Sequence, residues 1–274
     1  SWQKREVPPL VAELWSNLGH ALAVQGKFTD AVEQCRRALA LRGDFPEAHA
    51  NLANALSGAG RLDEAIASYR RALTLRPDYA EVHSSLIFVL DFDPRVTSAE
   101  AFEERRRWNA VHAEPQALER RAHDNDRSPE RRLRIGYVSP DFRRHSAAAT
   151  FAPVILTHDP EAFEVVAYSG VLASDAETAR FQAAASRWRS TVGVSDDALA
   201  AMIREDGIDI LVDLAGHSAG NRLRVFARKP APLQITAWGH ALGTGLDAMD
   251  YFFADPVTVP QELRGHFSEE VVDL

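Results

Sequence analysis

Cysteine is nearly absent: Cys35 is the single one in 274 residues. One thiol excludes an internal disulfide framework and any cysteine-based metal cluster, and it suits a reducing compartment. An excess of positive charge is also missing, since 31 Lys and Arg against 39 Asp and Glu leave a net charge of -8. A chain so balanced carries no global footprint for nucleic acid, and its basic clusters, at 105–107 and 131–134, are local. No apolar run approaches the roughly 20 residues of a membrane span, and the start of the chain lacks the apolar core of a signal peptide. A soluble cytoplasmic protein is expected, with neither nucleic acid nor membrane as partner. Neither G-x-G-x-x-G nor a Walker loop occurs, so a classical dinucleotide site and an NTPase are not indicated.

What is present first is self-similarity. Trp15, His49 and His83 stand 34 residues apart, as do Leu18, Leu52 and Leu86, and Leu22, Leu56 and Leu90. The pairs Gly26/Gly60, Ala31/Ala65 and Ala38/Ala72 keep the interval. This is the spacing of the tetratricopeptide unit, two antiparallel helices per repeat, stacked so that a concave face can take an extended peptide. The spacing predicts five helices over 12–90, with the recurrent leucines facing inward. Cys35 falls where the second helix of a repeat usually has an aromatic residue, and reads as a small buried hydrophobe. The pattern breaks at Asp91-Phe92-Asp93-Pro94.

Thr97 and Glu100 have capping-box spacing and predict a connecting helix to about Arg121, with HDNDRSPERR (123–132) as a boundary linker. From Leu133 the pattern changes to alternating strands and helices: strands at 133–138, 163–169, 188–192, 208–214, 233–238 and 249–254, helices near 147–156, 176–187, 196–205 and 221–228. That alternation implies a parallel, Rossmann-like sheet covered by helices. The domains expected are therefore repeats over 1–94, a connecting helix and linker over 95–132, and an α/β lobe over 133–274.

In such sheets ligands gather at the carboxyl ends of the strands. Three loops there combine polar residues with a histidine. After the first strand come Asp141, Arg143, Arg144 and His145; after IDILVDL come Gly216 and His217; after Trp238 come Gly239 and His240. Asp141 and His145, four apart, are close enough for the carboxylate to orient the imidazole. The glycines let backbone approach a ligand. No ligand spacing supports a metal site from His145, His217 and His240.

The repeats followed by LRIGYVSPDFRRH, DGIDILVDLAGHSAGNRL, RKPAPLQITAWGHALGTGL and MDYFFADP resemble the protein O-linked N-acetylglucosamine transferases, over about residues 12 to 260. The resemblance implies the amino-terminal half of a two-lobed GT-B glycosyltransferase, inverting, which moves N-acetylglucosamine from UDP-GlcNAc to Ser or Thr hydroxyls of proteins. The family's D-F-x-x-H motif matches Asp141 and His145, which makes them the catalytic pair. The loop after the PAP segment implicates Gly239 and His240 at the donor sugar, although it reads WGHALGTG where relatives have a tyrosine-proline version. Gly216, His217 and Arg143 complete the expected substrate-binding set. No cofactor or metal is expected; the acceptor protein or peptide would lie in the repeat groove. Two other readings share the resemblance: a protein O-fucosyltransferase using GDP-fucose, and a non-catalytic peptide-binding scaffold. In the family most contacts to the uridine diphosphate come from a second lobe, expected here on a missing part or another chain. Residues 1–274 alone are therefore expected to bind uridine diphosphate with a dissociation constant of roughly millimolar, about 4 kcal/mol, by calorimetry, and micromolar affinity would relocate the nucleotide site.

Overall fold

The computed structural model describes residues 9–274. It divides into two compact units, one ending at Thr97 and one spanning Ser98–Leu274.

The first unit is five helices: α1 (Pro9–Val24), α2 (Phe28–Leu41), α3 (Pro46–Gly58), α4 (Leu62–Leu75) and α5 (Ala80–Asp91). The 34-residue period becomes geometry at the turns. Gly26 and Gly60 have φ of 75° and 73°, and the next residues, Lys27 and Arg61, donate N–H to Leu22 and Leu56 O at 2.9 Å. This six-to-one closure needs a left-handed residue, which glycine adopts without strain. The core between helices holds Ala31, Cys35, Leu56, Ala65, Tyr69, Leu86 and Leu90. Burial pushes the Cys35 thiol up to about 11, so it behaves as a hydrophobe. In the next repeat the same position is Tyr69, whose hydroxyl donates to Asn54 Oδ1 at 2.6 Å. Leu52 and Leu86 are buried, but Leu18 is 44 % exposed. The difference follows from stacking: this position is covered by the repeat before it, and no described helix precedes α1. Arg95 closes the end of the unit by ion pairs to Asp93 at 2.7 Å and to Asp63.

The second unit is built on a seven-stranded, wholly parallel sheet of order β3-β2-β1-β4-β5-β6-β7. The strands are β1 (Leu133–Ser139), β2 (Phe163–Ser169), β3 (Arg187–Ser190), β4 (Ile210–Asp213), β5 (Leu233–Ala237), β6 (Tyr251–Ala254) and β7 (Glu270–Asp273). Strand order reverses between β1 and β4, which opens a crevice at their carboxyl ends. The helices are α6 (Ser98–Trp108), α7 (Ser146–Leu156), α8 (Ala176–Ala184), α9 (Asp196–Glu205) and α10 (Leu223–Ala227). Caps fix their starts: Ser195 Oγ accepts from Ala198 N–H, and Asp175 with Thr178 forms a reciprocal capping box.

Two expectations differ from what the structure holds, and one strand was not anticipated. The connecting helix does not run to Arg121. It ends at Trp108 and continues as a π turn (Asn109–Ala113) and a 3₁₀ turn (Glu114–Glu119), where Pro115 cannot donate to an α-helical ladder. Residues 123–132 are not a free boundary but part of the second unit. Asn125 and Arg131 bond the Asp209 carboxylate at 2.7 Å and at 2.6 to 2.7 Å, pinning the segment along the amino-terminal edge of the sheet. The run at 270–273 is a strand, β7, paired with β6. Among the described residues no helix is long and apolar enough to cross a membrane.

Both sheet faces are sealed, differently. On one, Phe142, Phe151, Phe181 and Trp188 form an aromatic cluster with ring centroids 5.3 to 5.7 Å apart. On the other, Tyr168 donates to Asp206 Oδ2 at 2.7 Å, and Arg189 and Arg187 pair with the same carboxylate. Burial acts to raise the Asp206 carboxyl, but those three donors outweigh it and hold the group below its ordinary value. Phe142 is fully buried although it sits in a loop. Phe142→Ala should therefore lower the unfolding free energy of this unit by about 3 to 5 kcal/mol in chemical denaturation.

Candidate active site

The loop after β1 is held from below and bonded to itself. Phe142 plugs into the aromatic cluster, so the flanking Asp141 and Arg143 must turn toward the crevice. Asp141 is buried; its N–H donates to Ser139 Oγ at 2.9 Å, and Arg143 donates to its Oδ1 at 3.0 Å. His145 is the N-cap residue of α7, in extended conformation, with its side chain 38 % exposed. Its Nδ1 accepts from Ala147 N–H at 3.3 Å and stands 3.6 Å from Asp141 Oδ2. The expected pairing of the two is thus a close approach rather than a hydrogen bond. An Nδ1 that accepts from an amide leaves the proton on Nε2, whereas donation to Asp141 would free the Nε2 lone pair. One ring thus has two settings, donor or base, at the solvent end.

The loops after β4 and β5 interlock by steric need. Gly216 has φ of 54°, and a Cβ there would stand 2.6 Å from His240 Cβ. A Cβ on Gly239 would stand 1.7 Å from Leu214 O, so only glycine lets the two loops touch. Trp238, just before it, has φ of 56°, a left-handed setting that a large side chain rarely takes. Its carbonyl accepts from Thr150 Oγ1 of α7 at 2.9 Å, joining this loop to the His145 helix. His240 is half-buried above Asp213 and is among the charges acting on that carboxylate.

His217 departs from expectation. It is 1 % exposed, its Nε2 bonds Thr244 O at 2.8 Å, and its ring lies edge-on against Trp108 at 5.3 Å. A side chain so enclosed packs the loop against the fold and has no face open to solvent. Asp141, Arg143 and His145 sit together on the loop after β1, while Gly216, buried, lies against His240 and Gly239 against Leu214 in the loops after β4 and β5. Among the described residues no three His, Cys, Asp or Glu side chains gather as a metal-binding group.

Residues that sequence reasoning passed over support this edge. Asp213, wholly buried, accepts from Gly216 N–H at 2.8 Å and Thr236 Oγ1 at 2.8 Å; burial raises its carboxyl, and these donors oppose the rise. Glu269 accepts from Thr244 N–H at 2.6 Å and from the Thr244 hydroxyl, and burial raises it also. Arg105 of α6 donates Nε–H to Gly243 O at 2.8 Å. Asp213 had a signal, an acid ending an apolar strand in IDILVDL. Glu269 and Arg105 had none, since their partners lie 25 and 138 residues away.

The chain matches the model of Glycosyl transferase family 41 over residues 77–273 and a tetratricopeptide repeat model over residues 16–80. It belongs to glycosyl transferase family 41. The Arabidopsis thaliana protein named "Probable UDP-N-acetylglucosamine--peptide N-acetylglucosaminyltransferase SPINDLY" is 38 % identical over 171 residues, 61 % of this chain and 18 % of that protein. The Arabidopsis thaliana protein of the same enzyme name designated SEC is 35 % identical over 145 residues, 53 % of this chain and 15 % of that protein. Among solved structures, a mutant of the Thermobaculum terrenum O-GlcNAc transferase superposes with a TM-score of 0.91 at 37 % identity, over 97 % of this chain and 51 % of that one. The chain thus spans under a fifth of these curated relatives and about half of the solved one. The fold is the expected one: tetratricopeptide repeats, then the Rossmann-like parallel-sheet lobe of a GT-B glycosyltransferase.

The interlock of the two glycine loops makes a test. Gly239→Ala should destabilise the second unit by about 1 to 3 kcal/mol in thermal or chemical unfolding, because the Leu214 carbonyl is backbone and cannot move aside cheaply.

Proposed function

We propose that the chain is the repeat and amino-terminal catalytic part of an inverting glycosyltransferase that moves N-acetylglucosamine from UDP-GlcNAc to Ser or Thr hydroxyls of proteins. The observation carrying this reading is the Asp141–His145 pair, with His145 open to solvent at the strand-order reversal between β1 and β4. The family and the named relatives support the reaction class.

In the transfer the acceptor hydroxyl oxygen forms a bond to the anomeric carbon while the bond from that carbon to the diphosphate oxygen breaks. The hydroxyl proton must leave as the new bond forms. With Nδ1–H turned to Asp141, His145 Nε2 can take that proton; with Nδ1 on the Ala147 amide, Nε2–H can instead donate to the nucleotide-sugar. Asp141, held by Arg143 and the Ser139 hydroxyl, stays in place to stabilise an imidazolium. Charge on the departing diphosphate needs fixed donors. Arg144 is exposed at this edge, and its own amide is anchored on Asp175 Oδ2 at 2.7 Å. The half-buried Gly239 and His240 would meet the sugar. The repeats offer a groove for an extended acceptor segment. Protein donors suffice for this chemistry, so neither metal nor cofactor enters the proposal. Cytoplasmic location remains part of it, resting on the lone, buried Cys35.

His145→Ala, in the protein complete with its second lobe, should lower kcat by at least tenfold, of the order expected for proton transfer, with the unfolding midpoint unchanged. Turnover is followed with UDP-GlcNAc and, in parallel, GDP-fucose at saturation. Equal turnover of wild type and variant would remove His145 from the mechanism; turnover with GDP-fucose alone would change the donor.

A further inference from the structure

The amino-terminal edge of the same sheet, away from His145, holds a cleft of about 660 Å³ whose lining includes Arg121, His123, Arg132, Arg204 and Asp209. Its cations are unusually free. Among the described residues, neither Arg121, Arg132 nor Arg204 has a carboxylate at ion-pair distance. Arg132 donates to Phe163 O at 2.9 Å, and Arg204 to Arg228 O and Lys229 O at 2.7 and 3.1 Å. The carboxylates here are already committed. Asp209 is taken by Arg131 and Asn125, Glu164 by Arg134 at 3.1 Å, and Asp126 by the Ser128 amide and hydroxyl. Asp124 and Asp126, the latter bonded only to neutral groups, are left against three guanidinium groups.

Like charges held together in a partly enclosed site repel, and each disfavours the charged form of its neighbour. Burial and then Arg121 lower the Arg204 guanidinium; burial and then Arg204 and Lys229 lower the His123 imidazole, with Asp124 and Asp250 opposing only weakly. Arg204 is nevertheless fixed in place by two carbonyls, with its position set before any ligand arrives. Planar forks so arranged match the oxygens of phosphate groups, which accept paired N–H bonds. A volume of this size exceeds one phosphate and suits a ligand carrying two.

We propose that this cleft binds a multivalent phosphate anion at the edge of the sheet opposite the catalytic residues. The site shares no residue with the transfer chemistry and rests on none of it. The ligand bridges Arg121 and Arg204, with Arg132 on its flank, and neutralises the charge that the fold leaves uncompensated.

The experiment is calorimetric titration of the chain with inorganic pyrophosphate, with citrate as a second anion at the same ionic strength. Saturable pyrophosphate binding is expected, with Arg121→Ala and Arg132→Ala each weakening it about tenfold, the loss of one charge-assisted bond. Among the described residues Arg121 has no hydrogen bond or ion pair, so its removal leaves the unfolding midpoint in place. Arg144→Ala, at the catalytic edge, should leave the affinity unchanged. In NMR titration the His123 pKa should rise when pyrophosphate is bound, because the anion cancels the field of Arg204 and Lys229. Absence of saturable binding, indifference to Arg121→Ala, equal affinity for citrate, loss on Arg144→Ala, or an unmoved His123 would each overturn the proposal.

Discussion

The burial of Phe142 is the constraint on which the second unit turns. A loop residue, it belongs by packing to the core, where its ring meets Phe151, Phe181 and Trp188. That single insertion ties β1, α7, α8 and β3 together beneath the carboxyl edge of the sheet. It also decides where its neighbours point. With Phe142 directed inward, Asp141 and Arg143 bond each other above it, and His145 is delivered to the first position outside α7. Stability and the candidate chemistry therefore share one residue, and the loop is rigid where a strand-end loop would ordinarily be loose.

A second constraint acts through shape alone. The loops after β4 and β5 touch backbone to backbone at Gly239 and Leu214, a contact with no room for any side chain. Such closeness removes water between the loops and forces Trp238 into a left-handed conformation. The strain is offset by anchors on every side: Thr150 on the Trp238 carbonyl, Asp213 on the Gly216 amide, and His217, Glu269 and Arg105 on the segment Gly243-Thr244. Asp213 and Glu269, both raised by burial, hold the edge through hydrogen bonds rather than exposed charge. The histidine expected to touch substrate, His217, is spent on this anchoring.

The two ends of the parallel sheet have opposite electrostatic characters. At the carboxyl ends Asp141 and Asp213 are buried and hydrogen-bonded, while His145 and Arg144 face solvent. At the amino ends guanidinium groups outnumber the carboxylates around them, because the segment 121–134 is rich in arginine and Asp209 and Glu164 are already bonded to Arg131 and Arg134. An acidic chain of net charge -8 thus concentrates positive potential in one place. Long-range charge balance says nothing of this; only local pairing does.

Much was legible in the residues themselves. The 34-residue period, the glycines at the helix turns and the switch to alternating strands named both units, because those signals depend on neighbours within a turn or a strand. Asp141, Arg143, His145 and the glycine loops were also legible as the carboxyl edge of the sheet, since every strand of a parallel sheet delivers its following loop to the same side. Tertiary structure alone decided the rest. Leu18 is exposed and Leu86 buried with the same residue at the same place in the repeat, because burial depends on what stacks above. His217 and His240 sit in similar loops, yet one is core and the other half-buried, a choice made by Trp108 and Thr244 far away in the chain. The path of residues 109–132, the strand at 270–273 and the role of Glu269 were set by partners distant in sequence. Such contacts leave no local periodicity, so the chain can show that a residue is capable of a bond but only the fold can say with what.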